Sequence, residues 1–136
     1  MIISPDPNPT TTSNVKQLFV KEVQISRTTT ASTVLAVLPA DATILFMVVR
    51  STAVSDAGTT ATISLGNLSS ATAYINALNV KTTPAANTPT MVVQSNLGNI
   101  SGIPLGSDQQ VVGVYAESGT ASTAGGPWVI DIVYTR

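Results

Sequence analysis

Seven side chains in this sequence can serve as carboxylate acids or bases: Asp6, Glu22, Asp41, Asp56, Asp108, Glu117 and Asp131. Histidine and cysteine are both absent. The commonest general base, the commonest metal ligand and the thiolate nucleophile are therefore missing together, and serine–histidine–acid catalysis is excluded. What remains is two-carboxylate glycoside hydrolysis or an oxygen-ligand metal site, and each must gather acids in one place. Here they are scattered singly, with no Asp-x-Asp or Glu-x-x-Glu pair. The expectation is no enzyme, no catalytic or metal site and no cofactor.

The cations Lys16, Lys21, Arg27, Arg50, Lys81 and Arg136 are equally dispersed and the net charge is -1. No basic stripe exists to displace counterions from a phosphate backbone, so nucleic acid is not an expected partner. Residues at the start carry neither a basic lead nor an apolar signal core. The longest strongly apolar run, Ile44 to Val49, is far shorter than a bilayer span, so neither export nor membrane insertion is expected. Without cysteine, nothing points to an oxidising compartment. Charged residues make up only 10% of the chain, against about 25–35% on the surface of an ordinary dispersed domain. With 43% hydrophobic residues, such a chain is easiest to understand if much of its surface is covered in its working state.

The elements follow from turn chemistry and alternation. Prolines 5, 7 and 9 fix φ, delete amide donors and hold their predecessors extended, so residues 1–14 read as an extended N-terminal arm ahead of a domain at 15–136. Val15 to Ile25 reads as one long strand with a bulge near Val20, or two short strands, because alternation slips there. Val34–Leu38 and Thr43–Arg50 form a hairpin about Pro39-Ala40-Asp41-Ala42. Thr60–Leu65 is one-sided, with Ala61, Ile63 and Leu65 on one face. Ser69–Leu78 fits a short helix, while a strand over Ala73–Val80 is the alternative. Met91–Ser95, Gln109–Glu117 and Trp128–Thr135 complete the set. About eight short strands, turn signals every ten residues or so and at most one short helix describe an all-β protein, an antiparallel β-sandwich or jelly roll.

Three strands are apolar on both faces. Leu45, Met47 and Val49 oppose Ile44, Phe46 and Val48; Val112, Val114 and Ala116 oppose Val111 and Tyr115; Val129 and Val133 oppose Trp128, Ile130, Ile132 and Tyr134. A two-sheet sandwich buries only inner faces. Leu45, Met47, Val49, Val112, Val114, Val129 and Val133 are therefore candidate subunit contacts, together with Ile2, Ile3, Pro5, Pro7 and Pro9 of the arm, and a homo-oligomer is expected.

The succession Leu38-Pro39-Ala40, the strand Ile44–Val49, the turn Ser55-Asp56-Ala57-Gly58, the strand Thr59–Gly66, the segment Ala71–Leu78 and a glycine-rich hairpin into Trp128–Tyr134 resembles small virion structural proteins of tailed bacteriophages, of the head-decoration or cement type. The resemblance covers Val34 to Arg136 and carries no catalytic signature. It implies a homotrimer made in the host cytoplasm and seated on the capsid exterior, with the major capsid protein as partner. The rival expectation is a tail-fibre or other virion module that binds a host-surface glycan or receptor. That rival needs exposed aromatics, and Trp128, the single tryptophan, reads better as a core anchor.

Overall fold

The computed structural model describes residues 16–82, 88–92 and 104–136, which form eight strands. In chain order these are β1 (Leu18–Ile25), β2 (Thr33–Leu38), β3 (Thr43–Ser51), β4 (Thr60–Asn67), β5 (Ile75–Asn79), β6 (Thr90–Val92), β7 (Gln109–Ser118) and β8 (Trp128–Thr135). They pair into two four-stranded sheets, β1-β8-β3-β6 and β2-β7-β4-β5. All pairings are antiparallel. Successive strands cross between the sheets except at β4 and β5, which are hydrogen-bonded neighbours in one sheet. The hairpin expected from Val34–Leu38 and Thr43–Arg50 is therefore corrected: Pro39-Ala40-Asp41-Ala42 carries the chain from one sheet to the other, because β2 pairs with β7 and β3 with β8 and β6. The described residues contain no helix. The segment that fits a helix by spacing instead makes turns and then β5, because Tyr74 donates its backbone N–H to the Leu65 carbonyl at 2.9 Å and Ser64 Oγ accepts from the Ala77 N–H at 3.0 Å. Edge pairing to β4 satisfies these backbone groups where a helix would have turned them inward on itself.

The core lies between the sheets. Val23 and Ile25 of β1, Ile44, Met47 and Val49 of β3, and Trp128, Ile130, Ile132 and Tyr134 of β8 meet Leu38, Ala61, Ile63, Leu65, Val111 and Tyr115 from the opposite sheet. Trp128 and Tyr115 stack across the layers with centroids 5.3 Å apart. Gly113 leaves room here for Leu35 and Ile25, since a Cβ on it would lie 2.6 Å from Leu35 Cδ1 and 2.9 Å from Ile25 Cδ1 and would force both side chains to shift. That missing side chain lets β7 approach β1.

Strand register decides which residues face out. β1 pairs with β8 in unbroken register from Leu18 to Ile25, so the slip near Val20 is not a bulge. Val20 simply faces water on an edge strand. One bulge is in β3, where the register to β8 shifts between Ile44 and Phe46, and another is in β2, where the register to β7 shifts between Val34 and Ala36. Leu45 is the extra residue, so Ile44, Met47 and Val49 all point inward.

Candidate functional site

The acids are absorbed by structure. Asp56, in the turn between β3 and β4, accepts from the backbone N–H of Thr123 (2.8 Å) and Ala124 (2.9 Å) and from the Thr123 hydroxyl (2.7 Å). These bonds, that from Ala124 foremost, lower its pKa from 3.8 to about 2. Glu117 takes hydrogen bonds from Ser122 and from the Tyr115 hydroxyl, the latter at 2.6 Å, and they hold its pKa below the ordinary value. Burial chiefly, and then Glu117, push the Tyr115 phenol upward. Asp108 accepts from the Ala40 N–H at 2.9 Å, and Asp41 pairs with Arg136 at 3.2 Å. Glu22 and Asp131 share Arg50, at 2.7 and 3.2 Å. Each described carboxylate is thus a latch for a loop or strand. No group of three or more metal-ligating side chains occurs among the described residues, and they include no helix long and apolar enough to cross a membrane.

The outer faces of the sheets are the distinctive surfaces. On the first sheet, register sends Leu18, Val20, Glu22 and Gln24 of β1 outward beside Val129, Asp131, Val133 and Thr135 of β8, then Phe46, Val48 and Arg50 of β3 and Met91 of β6. This face is divided along the strands. At the end where β1 begins, Val20, Val133 and Phe46 stand in one cross-strand row, with Leu18 beside it and Val48 and Met91 continuing toward β6. At the other end Arg50 bridges Glu22 and Asp131. Leu18, Val20 and Met91 are 64%, 59% and 57% exposed, so among the described residues the apolar band reaches from one sheet edge to the other with both ends exposed.

The second sheet turns outward Val34 and Val37 of β2, Gln110, Val112, Val114 and Ala116 of β7, and Thr60, Thr62 and Ser64 of β4. None of these is charged. Gly66, opposite Val112, lies hard against the backbone of Ser70 and Ala71, so the β4–β5 connection caps that end of the face. Val34 and Val37 remain about half exposed, at 49% and 54%.

The sequence-derived contact residues divide accordingly. Val114 and Val129 face outward and are half-buried, while Val112 and Val133 face outward but are enclosed by their own chain. Leu45 occupies the bulge and is half-buried. Met47 and Val49 are corrected: both are fully buried core residues, because the bulge reverses the alternation after Ile44. Phe46 and Val48 take the outward places assigned to them. Ile2, Ile3, Pro5, Pro7, Pro9 and the whole arm at 1–14 lie outside the described residues. The outward Leu18, Val20, Val34, Val37 and Met91 were missed. The alternation slip at Val20 was their one visible signal. Trp128 is fully buried and offers no platform for a sugar ring.

No protein-family model matches the chain, and no curated protein matches its sequence. In fold it is similar to a chain of the cyanophage Pam1 capsid asymmetric unit, with a TM-score of 0.62 and 17% identity over 99% of this chain and 92% of that one. It is similar also to a chain in the acidic stable capsid structure of Helicobacter pylori bacteriophage KHP30, with a TM-score of 0.62 and 13% identity over 90% of this chain and 94% of that one. At these identities the likeness is one of fold.

Proposed function

We propose that this protein is a structural subunit of a bacteriophage virion, a decoration or cement protein that binds the outside of the assembled head and stabilises it mechanically. The observation that carries the reading is fold likeness, extending over nearly the whole of both chains, to components of two phage capsids. The surfaces support it: one outer face carries an apolar band open at both edges, and the other has no outward charge. A subunit that binds only the assembled lattice stabilises it by mass action, and contacts repeated by symmetry gain from effective concentration. In this reading the partners are further copies of the chain, a trimer being favoured, and the major capsid protein. Synthesis takes place in the host cytoplasm. The glycan- or receptor-binding alternative loses its best aromatic to the core, since Trp128 stacks on Tyr115 there.

The test is cosedimentation of purified protein with phage heads stripped of accessory subunits, preceded by light-scattering mass. Saturable binding to heads, retention of packaged DNA on heating, and no binding to unassembled capsid protein are expected. A monomer that ignores heads and instead binds bacterial surface glycan overturns the reading.

A further inference from the structure

The apolar band on the first sheet needs an occupant, and the chain supplies one of matching chemistry. Residues 1–15 contain a single compact apolar group, Met1-Ile2-Ile3, separated from β1 by a proline-, threonine- and asparagine-rich stretch with no glycine. The geometry points to the seating of Ile2 and Ile3 on the Leu18–Val20–Phe46 band of a neighbouring copy. This inference rests on the homo-oligomer of the proposed function and names the contact that would build it.

Direction and length favour a neighbour over the same chain. Gln17 still pairs with Arg136, N–H to carbonyl both ways at 3.1 and 3.2 Å, so the backbone enters β1 along the strand axis from beyond the sheet. Leu18 and Val20 lie at this entry end. To reach them in cis, the segment would have to reverse immediately upstream and run back along β1. Ten extended residues then cover about 31 Å at about 3.1 Å each, more than the about 26 Å of an eight-residue strand. Ile2 and Ile3 would overshoot the apolar end and arrive near Gln24 and Arg50, the charged end of the face. Prolines 5, 7 and 9 resist compaction of that span. Continued outward, the same length carries the two isoleucines beyond their own domain. Prolines also lower the entropy lost when such a segment docks.

Strand addition along the free edge of β1 is a poorer use of this surface. Lys21 falls on the inward side of β1, opposite the core residue Ile132, yet stays exposed. A charge so placed obstructs edge-to-edge pairing with another sheet. The Leu18–Val20 end of the outer face beside that edge carries no charge.

The chain has no cysteine, which makes the test clean. Ile2→Cys and Val20→Cys variants are co-expressed with different tags, oxidised mildly and read on a non-reducing gel, with Ile2→Cys plus Val37→Cys as the control for the opposite face. A reducible heterodimer is expected from the first pair, several-fold above the control. Only an intrachain link in the Ile2→Cys/Val20→Cys double variant, no link at all, or an equal yield with Val37→Cys overturns the inference. Because it is read on purified protein without heads, the outcome is separate from head binding. Binding without the crosslink removes only this contact, and the crosslink without binding removes only the head-decoration reading.

Discussion

Met47 and Val20 are apolar residues of the same sheet, yet substitution at each tests a different property. Met47 is wholly enclosed, so Met47→Ala should cost about 2–5 kcal/mol, the sum of lost transfer energy and an unfilled cavity. Its denaturation midpoint should fall accordingly. Val20→Lys puts a charge where water already is and should change stability by no more than about 0.5 kcal/mol. Its effect should appear in the light-scattering mass instead, as loss of the oligomer. Asp56 tests a third property. Its folded pKa lies near 2, below the ordinary 3.8, so the native state binds a proton less readily than the unfolded chain. The stability this confers is complete above about pH 4 and is lost as pH falls towards 2. Thermal midpoints of wild type and Asp56→Asn, measured across that range, should be furthest apart at neutral pH and converge at the acid end.

At the scale of the strand, β3 shows what alternation can and cannot reveal. Its residues from Ile44 to Val49 are all apolar, so either phase satisfies a period of two, and only the bulge at Leu45 selects the true one. This yields a paired test. Deleting Leu45 removes the extra residue and leaves Ile44, Met47 and Val49 inward, so cooperative unfolding should persist with a modestly lower midpoint. Deleting Val48 instead forces part of the strand to exchange faces and should abolish cooperative unfolding, as read by near-ultraviolet circular dichroism. Where polar residues marked one face, as in β4 with Thr60 and Thr62 outward and Ala61, Ile63 and Leu65 buried, the sequence was enough to assign it. The core position of Trp128 was legible as well, but the expected hairpins were not: β2 and β3 lie in different sheets, as do β7 and β8, because which sheet a strand joins is settled by tertiary pairing and not by its turn. The helix-like spacing of Ala71, Tyr74, Ile75 and Leu78 misled because the partner that claims this segment, β4, is settled by tertiary pairing. The exposed valines of β1 and β2 were hard to find because edge position is a property of topology. No residue type announces it.

For the molecule as a whole, four of the six large hydrophobics that remain exposed among the described residues, Leu18, Val20, Val34 and Val37, belong to β1 and β2. Each of these strands is an edge of its sheet, and the two touch one another, so both apolar flanks lie on one side of the sandwich. A charge at Val37, as in Val37→Glu, should therefore weaken assembly as Val20→Lys does while leaving the thermal midpoint near that of wild type; a light-scattering mass equal to that of wild type would separate the second flank from the assembly. The unbroken β1–β8 ladder has a further consequence when the chain is put under load. A load applied through the segment ahead of Gln17 acts along β1, and antiparallel hydrogen bonds lie across that direction. All eight residue pairs from Leu18–Thr135 to Ile25–Trp128 are then sheared together, whereas a pull across the strand would peel them one after another. Loaded from that end, the domain resists as a lap joint.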